Sequence, residues 1–365
     1  MQTDMHYYGT FAMARAAGLS LDTCKTIATC SEYVDDNAGK ISVLFKDGAR
    51  IDTKPSAHHL TDIHNAKLAN INDEDQRHIW VPFHFLPGNE GEDYTERLVC
   101  RKNSDIAQEM VSYYLSNSHS SFIAELIGVC AHVYADTFSH YGFSGVSSRR
   151  NNVDQSQLAV VGEIDPDIKR YVEEKAESFF SNYEGRGAGL LDNIKAWCAE
   201  KLTGALGHGG AATYPDRPFL EWIFYYEYPI ARREHRVNAD AFLEGCRALY
   251  SMFARLAEAR PDLTDKSVEW VSIEANVRKI LATQDRLEAR INAWKDATER
   301  GLLGSAFMIP DYNAMTFDAE FSSLNESEDS TKALETSLFR FHQAVEMHLT
   351  YVIKQLLPSH GLVLN

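Results

Sequence analysis

Apolar residues recur at helical spacing along most of the chain, and capping residues or glycines mark where each run stops. The pattern predicts a first helix from Met5 to Ala17, closed by Gly18, and a second that starts at a Ser20 cap and runs to about Asp35. Further helices are expected over 104–115, 120–141, 166–183, 190–206, 239–259, 267–300 and 331–357. In the 120–141 run, Phe122, Ile123, Leu126, Ile127, Val129, Cys130, Val133, Tyr134 and Phe138 fall on every side, as in a helix at the centre of a bundle. The segment from Ile41 to Thr53, broken by Lys46-Asp47-Gly48, reads as a short hairpin, and it is the one convincing strand pair. Between His58 and Cys100 the chain is polar and rich in loop formers, yet it holds an aromatic knot, Trp80 to Pro87, that should pack inward. No repeat, low-complexity tract or linker marks a boundary. The expected fold is all-α: one large helical domain over 1–365, with a core over 1–230, long C-terminal helices over 231–365 packed on it, and one small β-hairpin.

Composition narrows the function classes. Lys plus Arg number 36 against 52 Asp plus Glu in 365 residues, a formal charge of −16, so nucleic acid is not an expected partner. No apolar run approaches the ~20 residues of a membrane span. The string Met1 to His6 has no basic region ahead of an apolar stretch, so no secretory signal is expected. Six cysteines lie far apart without a C-x-x-C pair and read as reduced core thiols, which fits a cytoplasmic protein.

The chemistry concentrates in the central helix, where His132, Asp136 and His140 recur at steps of four on one face. Three ionisable groups on an otherwise apolar helix cost several kcal/mol unless each finds a strong partner, and a divalent cation is such a partner. Asp35 and Asp36 close the second helix, where exposed carbonyls disfavour negative charge unless a cation is near; the same pair also suits a solvated turn. Asp4 and His6 flank the start of the first helix, His84 sits in Phe83-His84-Phe85, and His208 sits in a glycine-rich string followed by Asp216 in a rigid turn. His342 and His348 fall on apparently exposed faces, along with His119, His235 and His360.

These strings, Asp4-Met5-His6-Tyr7-Tyr8, Phe83 to Pro87, His132 to His140 and Gly207-His208-Gly209, resemble an uncharacterised bacterial family known only as a domain of unknown function, over roughly residues 1 to 300. The order of His6, Asp35 or Asp36, His84, His132, Asp136, His140, His208 and Asp216 is also distantly similar to the ligand order of zinc-dependent phospholipase C and the fungal single-strand nucleases. That resemblance implies their all-helical fold and a metal-dependent hydrolase, most plainly a phosphoesterase, with two or three zinc ions, or manganese or iron where carboxylates bridge. Those enzymes use a processed terminal Trp as a ligand; Met1 stands here, and Asp4 could take that place. Asp35 and Asp136 are the carboxylates assigned to catalysis, and Arg149, Arg150 and Arg217 are candidate clamps on a small phosphate ester. Two other readings stay open: a nucleotide phosphohydrolase, although its adjacent His-Asp dipeptide does not occur, and a non-catalytic binding protein stapled by metals.

Overall fold

A computed structural model describes residues 1–40, 42–57, 75–183, 206–325 and 327–364. The helix expected over 190–206 lies outside the described residues, apart from Leu206. A π-helical turn, Asp4–Gly9, leads into α1 (Thr10–Ala16), and Ser20 caps α2 (Leu21–Asp36) by accepting from the Thr23 amide at 3.3 Å. The hairpin follows as β1 (Ser42–Leu44) and β2 (Arg50–Asp52), antiparallel in register Val43 to Ile51. Next come α3 (Asp105–Ser116), α4 (Ile123–Ser139) and α5 (Pro166–Tyr183). The C-terminal part holds α6 (Asn238–Ala259), α7 (Trp270–Leu281), α8 (Leu287–Glu299), α9 (Met315–Asn325) and α10 (Ser337–Tyr351).

The molecule is mainly helical, with two small antiparallel sheets. α4 is the central helix: α2, α3, α6 and α10 surround it, and all its residues but Ala124 are buried. The approach of α2 is closest at Gly128, where an added Cβ would lie 2.6 Å from both the Cys30 Cβ and the Ile27 carbonyl oxygen. That absence of a side chain lets the Asp35 carboxylate at the end of α2 reach the polar face of α4.

Four expectations are corrected. A second sheet, β3 (Ala159–Val160), β4 (Glu221–Tyr226) and β5 (Arg232–Val237), joins the hairpin. Burial alternates along β4, but Trp222-Ile223-Phe224-Tyr225-Tyr226 is apolar or aromatic at each position, so polarity gives no alternation to read. The 267–300 run divides into α7 and α8, and in the break between them the Gln284 side chain accepts from the Asp165 amide at 3.1 Å and donates to the Glu163 carbonyl at 2.8 Å. The first part of the aromatic knot, Trp80 to His84, belongs to a π-helical turn, Gln76–His84, and not to a loop. His342 and His348 are buried, at 5% and 0% exposure, on the inner face of α10 with Leu338, Phe341 and Val345. No described helix is long and apolar enough to cross a membrane. Cys24, Cys30, Cys100, Cys130 and Cys246 are buried free thiols, while Cys198 lies outside the described residues.

Candidate metal centre

Four elements bring their polar residues to one place. The π-helical turn supplies His6, the end of α2 supplies Asp35, the turn at Gln76–His84 supplies His84, and α4 with its C-cap supplies His132, Asp136 and His140. The 208–216 loop adds His208 and Asp216. Their donor atoms converge as three groups that could each hold a metal ion: His6, Asp35 and His132; His84, His132 and Asp136; His140, His208 and Asp216. His132 is shared by the first two.

Asp136 lies between them. Its Oδ1 is 3.2 Å from His6 Nε2, and its Oδ2 is 3.3 Å from His132 Nε2 and 3.4 Å from both His84 Nδ1 and His140 Nδ1. Asp35 is the more open carboxylate, with a side chain 37% exposed and oxygens 3.7–3.9 Å from His84, His132 and His6. His140 Nε2 is 3.2 Å and His208 Nε2 3.7 Å from Asp216 Oδ1. Aromatic side chains wall the group in: Phe85 stacks on His140 at 4.7 Å between centroids, and Phe143 meets His208 edge-on at 6.1 Å.

The tautomers follow from backbone partners. A carbonyl oxygen only accepts, so the ring nitrogen facing it carries the hydrogen. His132 Nδ1 faces the Ser31 carbonyl at 2.7 Å, His140 Nδ1 the His84 carbonyl at 2.8 Å, His208 Nδ1 the Ala212 carbonyl at 2.7 Å, and His84 Nε2 the Ser56 carbonyl at 2.8 Å. In the neutral rings, each remaining nitrogen then turns a lone pair toward the carboxylates. His132 Nε2 and His84 Nδ1 stand 3.2 Å apart, so a proton or a metal cation has to lie between them; burial pushes the His84 imidazole down, but Asp136 and Asp35 raise it. His6 is fully buried with neither ring nitrogen in a hydrogen bond. Backbone-anchored imidazoles with inward lone pairs are an arrangement that metal ligands take.

The electrostatics show the same demand. Burial pushes the Asp136 carboxyl up, but His140, the Met1 ammonium, His132 and His6 reverse this and hold it well below the usual range. Asp216 is held low in the same way, against burial, by His208, the ammonium and His140. Burial lowers the His6 imidazole to about 3, helped by His132 and the ammonium, and lowers His208 to about 4.

Not every expected residue joins the cluster. Asp4 does not substitute for an amino terminus: it is 1% exposed and takes Arg290 Nε at 2.8 Å, forming a buried ion pair with α8. The α-amino nitrogen of Met1 itself is in the cluster, 2.8 Å from Asp136 Oδ1, 3.4 Å from Asp216 Oδ1 and 3.5 Å from His140 Nε2. Asp136, Asp216 and Asp35 hold that ammonium to about 11 although burial opposes them. Asp36, one position along α2, points away and accepts from Tyr312 Oη at 2.6 Å. Arg150 is engaged by Asp93 and by Thr95 Oγ1, and Arg149 is exposed. Arg217, buried beside Asp216, donates to Thr213 Oγ1 at 3.2 Å. Sequence reasoning missed the amine and Arg290; the one available signal for the latter was an arginine on the apolar face of a helical run.

The chain belongs to a family of unknown function, DUF6765, which matches residues 1–356. No curated protein and no solved structure matches it.

Proposed function

We propose that this cluster is a di- or trinuclear metal centre and that the protein is a metal-dependent hydrolase of phosphate esters. The observation that carries the reading is the set of inward lone pairs on His84, His132, His140 and His208, fixed by four backbone carbonyls around three carboxylates. Imidazole with carboxylate suits zinc, with manganese or iron as variants. The likeness in ligand order to zinc-dependent phospholipase C has no counterpart among the comparisons and carries no part of this reading.

The residues divide the work by exposure. Buried Asp136 has no room for substrate and serves as the shared holder of His6, His84, His132 and His140. Asp35, partly open, is placed to take a proton from an attacking water at the mouth of the centre. Divalent cations, when bound, lower the pKa of water toward ~7 and hold the oxygens of a phosphoryl group. The open Asp35 favours a catalytic centre over a closed staple, in which protein ligands fill every position.

The test is elemental analysis of the purified protein, then assay on phosphomonoester and phosphodiester chromogenic substrates. Wild type should carry two or three transition-metal ions per chain and turn over at least one class. His132→Ala, which removes a ligand from two groups, should lose at least one ion and 10²-fold or more in rate, on the order seen when a catalytic term is deleted. Equal metal in wild type and variant ends the reading; metal without turnover favours the staple.

A further inference from the structure

Beside the centre lies a group of cations that the hydrolytic residues do not use. The ring of Tyr171, on α5, has three positive side chains around it: Arg286 Cζ at 5.0 Å from the centroid, Arg217 Cζ at 5.3 Å and Lys175 Nζ at 5.8 Å. None of the three forms an ion pair among the described residues, whereas Arg150, Arg247, Arg260, Arg278 and Arg290 each hold a carboxylate. Glu173, the acid on α5 nearest in sequence to Tyr171, faces Lys169 at 3.9 Å instead. The electron-rich faces of the ring attract each cation weakly. Three like charges crowded around one ring still repel each other. In a chain of net charge −16, three cations without a carboxylate at ion-pair distance around one ring are an exception.

Arg217 joins this patch to the centre. It is 3% exposed, it donates to Thr213 Oγ1 at 3.2 Å, and its Nε is buried without a partner. A buried, incompletely bonded guanidinium is costly unless an anion completes its hydrogen bonds. It directly follows Asp216, whose Oδ1 is 3.2 Å from His140 Nε2. The loop carrying both is pinned by Asn238, which donates to the Tyr214 carbonyl at 2.7 Å and to the Arg217 carbonyl at 2.8 Å.

We propose that Arg217, Lys175 and Arg286 form an anion subsite adjoining the centre, and that the substrate carries a second phosphate group besides the one attacked. The substrate class rests on the phosphoesterase reading above; the subsite itself, made of side chains alone, does not need the metal. Arg217 reaches the anion from the buried side, and Lys175 and Arg286 reach it from solvent.

The experiment uses inorganic pyrophosphate as the probe. It is titrated by calorimetry at low ionic strength into the full chain after chelation and dialysis. Wild type should bind it; Arg217→Gln should weaken binding at least tenfold, and Lys175→Ala and Arg286→Ala about threefold each, as expected for one buried and two exposed charge-assisted contacts. The two exposed substitutions keep the test informative if Arg217→Gln fails to fold, and thermal melting checks each variant. Absence of binding, or equal affinity in wild type and the folded variants, overturns the subsite. The hydrolase reading fails separately, by absence of metal or turnover, and pyrophosphate binding lost in the variants would still stand in that case.

Discussion

His342 is a buried imidazole with no hydrogen bond at either nitrogen, and burial lowers it to about 4. Its unfolded value is near 6.5, so between pH 6.5 and 4 the unfolded chain binds the extra proton and stability falls as the solution is acidified. Above pH 6.5 both states are neutral and the term vanishes. His348 is lowered to about 4 as well, but its nitrogens meet Tyr114 Oη and the Pro82 carbonyl at 2.8 Å, so its removal would strand two partners. His342→Leu strands none. It should recover about 2 kcal/mol at pH 5 and narrow the difference between melting temperatures at pH 7 and pH 5. An unchanged difference would show that another group causes the acid sensitivity.

Among elements, the contact of α2 with α4 decides whether the carboxylate meets the imidazoles. Gly128→Ala gains up to ~1 kcal/mol of helix propensity but drives a Cβ to 2.6 Å from two rigid atoms of α2. The overpacking should win, destabilising by about 1–3 kcal/mol and lowering metal content. Gly39→Ala, with nothing within 4 Å, is the control and should change neither. The same contact shows what the sequence could and could not reveal. The Ser20 cap and the all-round apolarity of α4 were legible because local chemistry sets them. So was the His132, Asp136, His140 face, because helical spacing fixes it. Asp35 could not be told from Asp36, since the choice depends on how α2 is rotated against α4. In the break between α7 and α8, Gln284 meets Glu163 and Asp165 about 120 residues earlier, contacts that local sequence does not announce. The buried side of α10 was readable in principle, for Leu338, Phe341, Val345 and His348 keep helical spacing, but the intervening polar residues masked it.

On the scale of the whole molecule, the ion pair of Asp4 with Arg290 ties the first turn to α8 across 286 positions. Both groups are 1% exposed, so breaking the pair leaves a buried charge alone. Arg290→Met should cost about 3–5 kcal/mol, and Asp4→Asn in the same chain should restore a large part of it. Chemical denaturation of the four-member cycle measures the coupling; additive effects would mean that the pair holds nothing in place.

That tie also orders events in time. In synthesis Asp4, near neighbour of His6, precedes by 286 positions the guanidinium of Arg290 that fastens it. A contact so distant along the sequence closes late. Any ion held at the proposed centre would therefore meet a finished cradle only once Arg290 is in place.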